Sequence, residues 1–476
     1  MLGPDRRRTV GGGGSASPGK TGDVDTGLFG RQAPFGGRPL RDVTSGRDIA
    51  FQALRTFYRT RERPERILTN LPLKQLSTRD AGRVRVLVQE CIRWQRLFDE
   101  YLNRFTGKRR TRISPGLKAL THILFYELLQ DSTVPAYAAV HSAVELAKRK
   151  ISRKAGAFVN ALGQSLSGSR LDVSPPRELA RRESFPDWMV RRWETRWGRE
   201  RTTRICHNLN RGTGTVLRRN ATLISENELL NALPDTLSLT PLPDSDCFYT
   251  SEESPGLWMQ TELFRQGALS FQGRGAGAIV EWLDPRPGEI VLDVCAAPGT
   301  KSRYMAEKMR NQGIIYASDS SAERLAVARQ DETRHPATLI QWAVKDATRD
   351  EFPLADAVLI DAPCSGTGII GRRPDIKWRR SPRELPVFAA LQTQMVTHMW
   401  SFVKPGGRLL YATCSLEQEE NWDVLEASRK LLEHFEIVSP PETFPDSWRR
   451  EGLALEILPD REPIDGMFGF LLKKVA

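Results

Sequence analysis

EIVLDVCAAPGTKS, Glu289–Ser302, is the stretch on which the reading of this chain turns. EIVLDV is a short apolar run, CAAPG a turn of small residues, and TKS the opening of a segment with helical spacing. Ala296, Ala297 and Gly299 carry little or no side chain, so a ligand can approach the backbone there. The helix that follows offers free N–H groups at its start. The stretch lacks the glycine triplet of GxGxxG, and only one glycine precedes Lys301, so neither a dinucleotide fingerprint nor a Walker loop is present.

The same alternation repeats from about Thr261 onward. EIVLDV, GIIYASD, TLIQWAV, DAVLIDAP and GRLLYATC are short apolar runs separated by helical segments. This pattern predicts an α/β domain over 257–476 built on a doubly wound, mostly parallel sheet, with its ligands at the carboxyl ends of the strands. Asp319 closes the second run, nineteen residues past Thr300, where such folds hold the two hydroxyls of a ribose. Asp346, after the third run, can accept from an adenine amine or cap the next helix. Acidic strand ends beside a small-residue first turn point to an adenosyl ligand without a triphosphate.

Two thiols fall at strand ends on the same rim. VLIDAPCSGTGIIGRRPDIKW (Val358–Trp378) delivers Cys364 after Asp361, and LLYATCS delivers Cys414 fifty residues later. Near helix starts and the cations Lys301 and Lys377, these thiols are expected to have depressed pKa values and to be reactive. Paired thiols beside an adenosyl cofactor suit one reaction. Carbon 5 of cytosine is a poor nucleophile, but thiolate addition at carbon 6 makes it enamine-like and able to take a methyl group. Glu417, Glu419 and Glu420, just after Cys414, read as first-turn helix residues suited to the dipole, with Glu420 and Asn421 as braces for the loop.

The N-terminal third has another character. Residues 1–45 hold 11 Gly and 4 Pro without periodicity, the composition of a disordered basic tail. Residues 46–178 carry 25 Lys and Arg against 12 Asp and Glu, net +13, whereas residues 179–476 carry 38 against 42, net −4. Basicity this concentrated indicates a polyanion-binding module. Ile49, Ala50, Ala53, Leu54 and Phe57 make one helical face. Leu76–Phe105 makes a long second one, with a Ser77 or Thr78 cap and Asp80 in the first turn. GLKALTHILFYELLQ and AYAAVHSAVELAKRK continue an all-α domain over 46–180. Residues 181–256 look like a small mixed α/β connection. The six cysteines show no CxxC spacing and no nearby histidine pair, so neither a zinc site nor a disulfide framework is expected. No apolar run has membrane-spanning length and the first residues lack a secretory core, so a cytoplasmic protein is expected.

Together these motifs resemble the RNA cytosine-5 methyltransferases of the Nol/Nop/Sun family, most closely the bacterial RsmB (Sun/Fmu) type acting on small-subunit (16S) ribosomal RNA. The resemblance covers about residues 47 to 472. LSTRDAGRVRVLVQECIRW, VPAYAAVHSAVELAK and AFVNAL are similar to its NusB-type RNA-binding domain. VLDVCAAPGTKS, DAPCSGTGIIGRRPDIKW and KPGGRLLYATCSLEQEEN are similar to its methyltransferase motifs.

The resemblance implies a Rossmann-like class I SAM-dependent methyltransferase fold behind a NusB-like domain. It also implies S-adenosyl-L-methionine as cofactor and ribosomal RNA as partner, with no metal or membrane, in a monomer. By position, Cys414 would be the nucleophile and Cys364 the thiol that aids product release. Cys295, Ala296, Ala297, Pro298, Gly299, Thr300 and Lys301 would form the cofactor loop, Asp319 would hold the ribose and Asp346 the adenine side. Asp361 would lie between methyl donor and target base. Lys301 and Lys377 would sit near the active centre, and Lys377, Arg372 and Arg373 would contact RNA. The chain departs from the family pattern at PGTKS for PGGKT, FQGRGAG (Phe271–Gly277) for VQDxSAQ, DGMFGF (Asp465–Phe470) for DGFF, and AFVNALGQSL without its arginine. The readings set against this one are a catalytically silent RNA-binding or ribosome-assembly factor and a methyltransferase of proteins or small molecules. Neither of these needs two thiols at one rim.

Overall fold

The structure is a computed structural model that describes residues 45–107, 113–334 and 337–475. The expected tail, up to residue 44, lies outside the described residues.

The bundle runs through α1 Gly46–Thr60, α2 Pro64–Thr69, α3 Thr78–Arg93, α4 Gln95–Thr106, α5 Pro115–Leu129, α6 Ala136–Lys150 and α7 Arg153–Ser167. The predicted face Ile49, Ala50, Ala53, Leu54 and Phe57 is buried in one core with Val88, Ile92, Phe98 and Leu124. Ser77 caps α3, its Oγ accepting from the Asp80 amide at 3.1 Å. The cations that end α6 do more than complement a dipole, since Arg149 reaches Asp48 on α1 at 2.8 Å. The run Leu76–Phe105, expected as one helix, breaks at Trp94 (φ −100°, ψ 10°). Arg93, the last residue of α3, stays paired with Glu90 at 2.9 Å and donates to the carbonyls of Leu209 and Gly371 outside the bundle.

Helix α8, Asp187–Arg211, is interrupted at Gly198 (φ 76°, ψ 165°). A small antiparallel sheet follows, in which Thr215–Arg219 pairs with Phe248–Ser251 and Leu269–Phe271. Its last strand lies beyond residue 256, where the connecting segment was expected to end.

The large sheet contains β1 Ile290–Asp293, β2 Ile314–Asp319, β3 Ile340–Val344, β4 Ala355–Asp361, β5 Val403–Thr413, β6 Phe435–Val438, β7 Arg449–Arg450, β8 Ala454–Ile457 and β9 Met467–Lys474. The order is β7-β8-β9-β5-β4-β1-β2-β3, with β6 paired to β9. Strands β1 to β5 are mutually parallel and β9 runs antiparallel to β5. Both faces are covered: Val291, Ala357, Leu359 and Leu410 point into one core, and Leu292, Val358, Ile360 and Leu409 into the other. Burial on both sides is why these strands read as continuous apolar runs in the sequence. Helix α9, Thr300–Lys308, leaves the tip of β1, and α10, Leu385–Trp400, joins β4 to β5.

Candidate active site at the strand tips

Strands β4 and β5 are neighbours, with Asp361 beside Ala412 in the register. Cys364 follows the end of β4 by three residues and Cys414 the end of β5 by one, so the thiols meet above the sheet with Sγ atoms 3.3 Å apart. Both are half-buried. Glu420 spans the two loops from below. Its carboxylate accepts from the Ser365 amide at 2.8 Å, the Ser415 hydroxyl at 2.6 Å and the Gln392 side chain at 3.1 Å. Arg380 closes the other side, donating to the Ser365 and Cys364 carbonyls at 2.9 and 3.2 Å. The Gly368 amide donates to the Cys414 carbonyl at 2.9 Å. A Cβ at Gly368 would lie 2.6 Å from the Gly466 carbonyl and 2.8 Å from that of Cys414, so only glycine fits.

Three sequence expectations need correction here. Glu417, Glu419 and Glu420 are not in a helix, because the helix begins at Trp422. They lie in the preceding loop, where Glu417 accepts from Trp193 and Arg192 of α8 and Glu419 from Arg192. The thiols were expected to have depressed pKa values. Instead, the hydrogen bond with Cys414, together with burial, pushes the Cys364 thiol well up, and Glu420 and Asp361 add to it. Burial likewise pushes Cys295 up. Lys301 donates from Nζ to Asp361 at 2.6 Å and also interacts electrostatically with Cys414. Burial opposes its charge, but Asp361 outweighs burial and holds its pKa up.

Lys377 is the third case. It is 1% exposed, its Nζ donating to Asn210 Oδ1 at 2.7 Å and lying 3.7 Å from the Phe185 ring centre. Burial, with Arg93 nearby, drives its pKa well below the usual lysine range. It therefore contacts neither the thiols nor any phosphate, and is part of the seam between bundle and sheet.

A cavity of about 170 Å³ opens beside Lys301 and is lined by Asp293, Cys295, Ala297, Asp361 and Arg372. Larger cavities of about 520 and 560 Å³ lie elsewhere, and neither reaches the tips of β1, β4 or β5. Asp293 Oδ2 accepts from Ser302 at 2.6 Å, while Oδ1 is buried with no hydrogen-bond partner among the described residues. Burial pushes this carboxyl up to about 7. Asp319 is buried at the tip of β2, its Oδ1 accepting from the Ser321 amide at 3.0 Å. The Ser318 hydroxyl and Trp342 Nε1 are also buried without partners among the described residues. The unfilled Asp293 Oδ1 fits a ligand that brings an ammonium, and the Asp319 carboxylate, 3.0 Å from Arg324, stands at the strand tip where such folds hold a ribose diol. Asp346 closes a turn rather than capping a helix, accepting from the Thr348 amide and hydroxyl at 3.0 and 2.7 Å.

Arg372 lines this cavity, its guanidinium 2.7 Å from Asp465. The pair passes over Gly273, where a Cβ would lie 2.8 Å from Arg372 and 2.9 Å from Asp465. The glycine that stands for the aspartate of VQDxSAQ thus leaves room for the Asp465 carboxylate. At Gly277 the space of the missing side chain is taken by the Phe248 ring. Arg373 lies 3.6 Å from Glu65 and 3.8 Å from Asp375, long for ion pairs. Sequence reasoning missed Asp465, Arg380, Gln392 and Asp293. Of these only Asp293, in VLDV at a strand end, carried a local signal.

Comparison with known proteins agrees with this layout. The family model for the 16S rRNA methyltransferase RsmB/F matches residues 280–473, the NusB family model residues 44–163, and the ferredoxin-like domain of RsmF/B-like methyltransferases residues 185–239. The probable ribosomal RNA small subunit methyltransferase B of Synechocystis sp. is 31% identical over 91% of this chain and 100% of its own length. Its Bacillus subtilis counterpart is 29% identical over 90% and 99%. Among solved structures, PH0851 superposes with a TM-score of 0.75 at 23% identity, covering 92% of this chain and 100% of its own. A methyltransferase homologue from Pyrococcus horikoshii gives 0.54 at 28% identity, over 62% and 98%. With the helical bundle, the ferredoxin-like segment and the strand-tip thiols following one another along the same chain, the protein belongs to the RsmB/F family of 16S ribosomal RNA methyltransferases.

Proposed function

We propose that this S-adenosylmethionine-dependent RNA methyltransferase modifies carbon 5 of a cytosine in small-subunit ribosomal RNA, through a covalent bond between Cys414 and carbon 6. The observation that carries the proposal is the pair of thiols, 3.3 Å apart at adjacent strand tips beside the Asp293–Asp361 cavity. When bound, S-adenosylmethionine supplies an electrophilic methyl group. Asp293, Asp319 and the Cys295–Lys301 turn hold it at the tips of β1 and β2, with Asp346 on the adenine side.

The two thiols share a 3.3 Å contact in which either sulfur can donate, and Cys414 takes the role of nucleophile on the resemblance of its TCS motif. Addition at carbon 6 directs electron density to carbon 5, which takes the methyl group. Methyl transfer leaves S-adenosylhomocysteine; Cys364 as a thiolate then takes the carbon-5 proton, and the carbon 6–sulfur bond breaks with its electron pair returning to Cys414, 3.3 Å away. Asp361, anchored by Lys301, orients the cytosine ring. A target base must be single-stranded or flipped to reach a half-buried thiol. Six cysteines without a disulfide suit a reducing cytoplasm, and all the named groups come from a single chain.

The test is methyl transfer from tritiated S-adenosylmethionine to unmodified 16S ribosomal RNA, followed by nucleoside analysis. Wild type should yield 5-methylcytidine and Cys414→Ala none. Cys364→Ala should accumulate a protein–RNA adduct that survives denaturation. Full activity of Cys414→Ala, or a methyl group on another atom, sinks the proposal.

A further inference from the structure

Several guanidinium groups crowd the junction between the bundle and the segment after Cys364. Arg63 comes from the bundle, as the residue preceding α2. Arg373, Arg379 and Arg380 come from the sheet domain. Countercharges are present but outnumbered. Asp375 lies 3.0 Å from Arg379 and 3.8 Å from Arg373, Glu65 lies 3.6 Å from Arg373, and Glu384 lies 3.3 Å from Arg380. Among the described residues no carboxylate pairs with Arg63, which is exposed. Partial burial and the three neighbouring cations hold its guanidinium below the ordinary range, with Asp375 opposing them. The cluster is fixed at both ends. Arg379 donates to the Arg61 carbonyl at 3.0 Å in the bundle, and Arg380 holds the carbonyls of Cys364 and Ser365.

We propose that Arg63 and Arg373 form a phosphate-binding seam that takes the single-stranded RNA backbone beside the target nucleotide and needs both domains of the chain. Planar guanidinium forks match phosphate oxygens in pairs, and a cluster in which cations outnumber their carboxylate partners is relieved by a polyanion. The seam is tied by Arg380 to the loop that carries Cys364, so a phosphate held there belongs to a nucleotide close to the thiols. The proposal rests on RNA being the substrate of the Cys414 site.

The experiment uses the full chain and an unmodified 16S ribosomal RNA fragment, with affinity measured across a potassium chloride series and the methylated nucleoside identified in parallel. Arg63→Gln and Arg373→Gln should each weaken RNA binding several-fold. Each should also reduce the slope of log affinity against log salt by about 0.7, the value for one lost single-strand phosphate contact. Arg63→Lys should restore most of the slope, and KM for S-adenosylmethionine should not move. Arg286→Gln removes the same charge at the amino ends of the strands, just before β1, where Arg286 pairs with Asp284. It should change neither affinity nor slope. An unchanged slope in Arg63→Gln, or an equal loss in Arg286→Gln, overturns the seam. A wild type that makes 5-methylcytidine while Arg63→Gln binds normally sinks the seam alone. A different methylated atom sinks the cytosine reading whatever Arg63 does.

Discussion

Glu420 touches both thiol-bearing loops at once, and three donors converge on its buried carboxylate. Removing it leaves the Ser365 amide without its acceptor and takes one partner each from the Gln392 amide, which also donates to the Pro363 carbonyl, and the Ser415 hydroxyl, which also meets Ser365 Oγ. Each unsatisfied buried group costs about 1–3 kcal/mol. Glu420→Ala should therefore lower stability by roughly 2–4 kcal/mol in urea unfolding, partial relaxation sparing the full sum. It should also lower kcat far more than KM for S-adenosylmethionine, because the cofactor turn is on another strand. An unchanged kcat in the folded variant would deny Glu420 its positioning role. The cysteines themselves were readable because TCS and DAPCSG each terminate an apolar run. The role of Glu420 was visible only as a possible brace. The spacing after Cys414 suggested an immediate helix, whereas the chain makes a turn and enters the helix only at Trp422.

The segment from Gly366 to Arg380 belongs to both halves of the molecule. Trp378 Nε1 donates to the Ile92 carbonyl at 2.8 Å, and Lys377 reaches Arg93 and Asn210. In sequence, PDIKWRR looks like a solvated basic turn. Its burial arises from contacts with residues nearly three hundred positions earlier, which no local pattern encodes. The five parallel strands lay open to sequence reading for the opposite reason, since each carries its own apolar run between turn residues. Lys377 has a folded pKa well below its unfolded one. Between those two values the unfolded chain binds more protons, so stability rises with pH there and the benefit is lost below the folded pKa. Lys377→Met removes this dependence. The gap in Tm between wild type and Lys377→Met should shift in favour of wild type as pH rises from about 7 to 9.5. The salt dependence of RNA binding should be the same in both proteins. A reduced salt slope in Lys377→Met would restore the lysine to the RNA surface.

Arg93 couples the bundle to the rest of the chain, donating from a 5% exposed side chain to the carbonyls of Leu209 and Gly371. With Trp378 and Lys377 it makes a polar seam that is satisfied on both sides. Calorimetry of wild type should show one unfolding transition, and Arg93→Ala, which costs about 3 kcal/mol at the seam, should separate it into two. A single transition at unchanged Tm in Arg93→Ala would show that the domains melt together for other reasons. The last strand, β9, pairs with β5 from Arg408–Lys473 to Thr413–Phe468, while Gly466 just before it donates to the Gly368 carbonyl. This arrangement bears on timing. A ribosome releases the chain from its amino end at roughly 5–20 residues per second. A nascent polypeptide that has exposed Cys364 and Cys414 but not yet Lys474 has β5 with one edge bare and the Gly368 turn unsupported. The rim that carries both thiols is therefore completed only once β9 has left the ribosome.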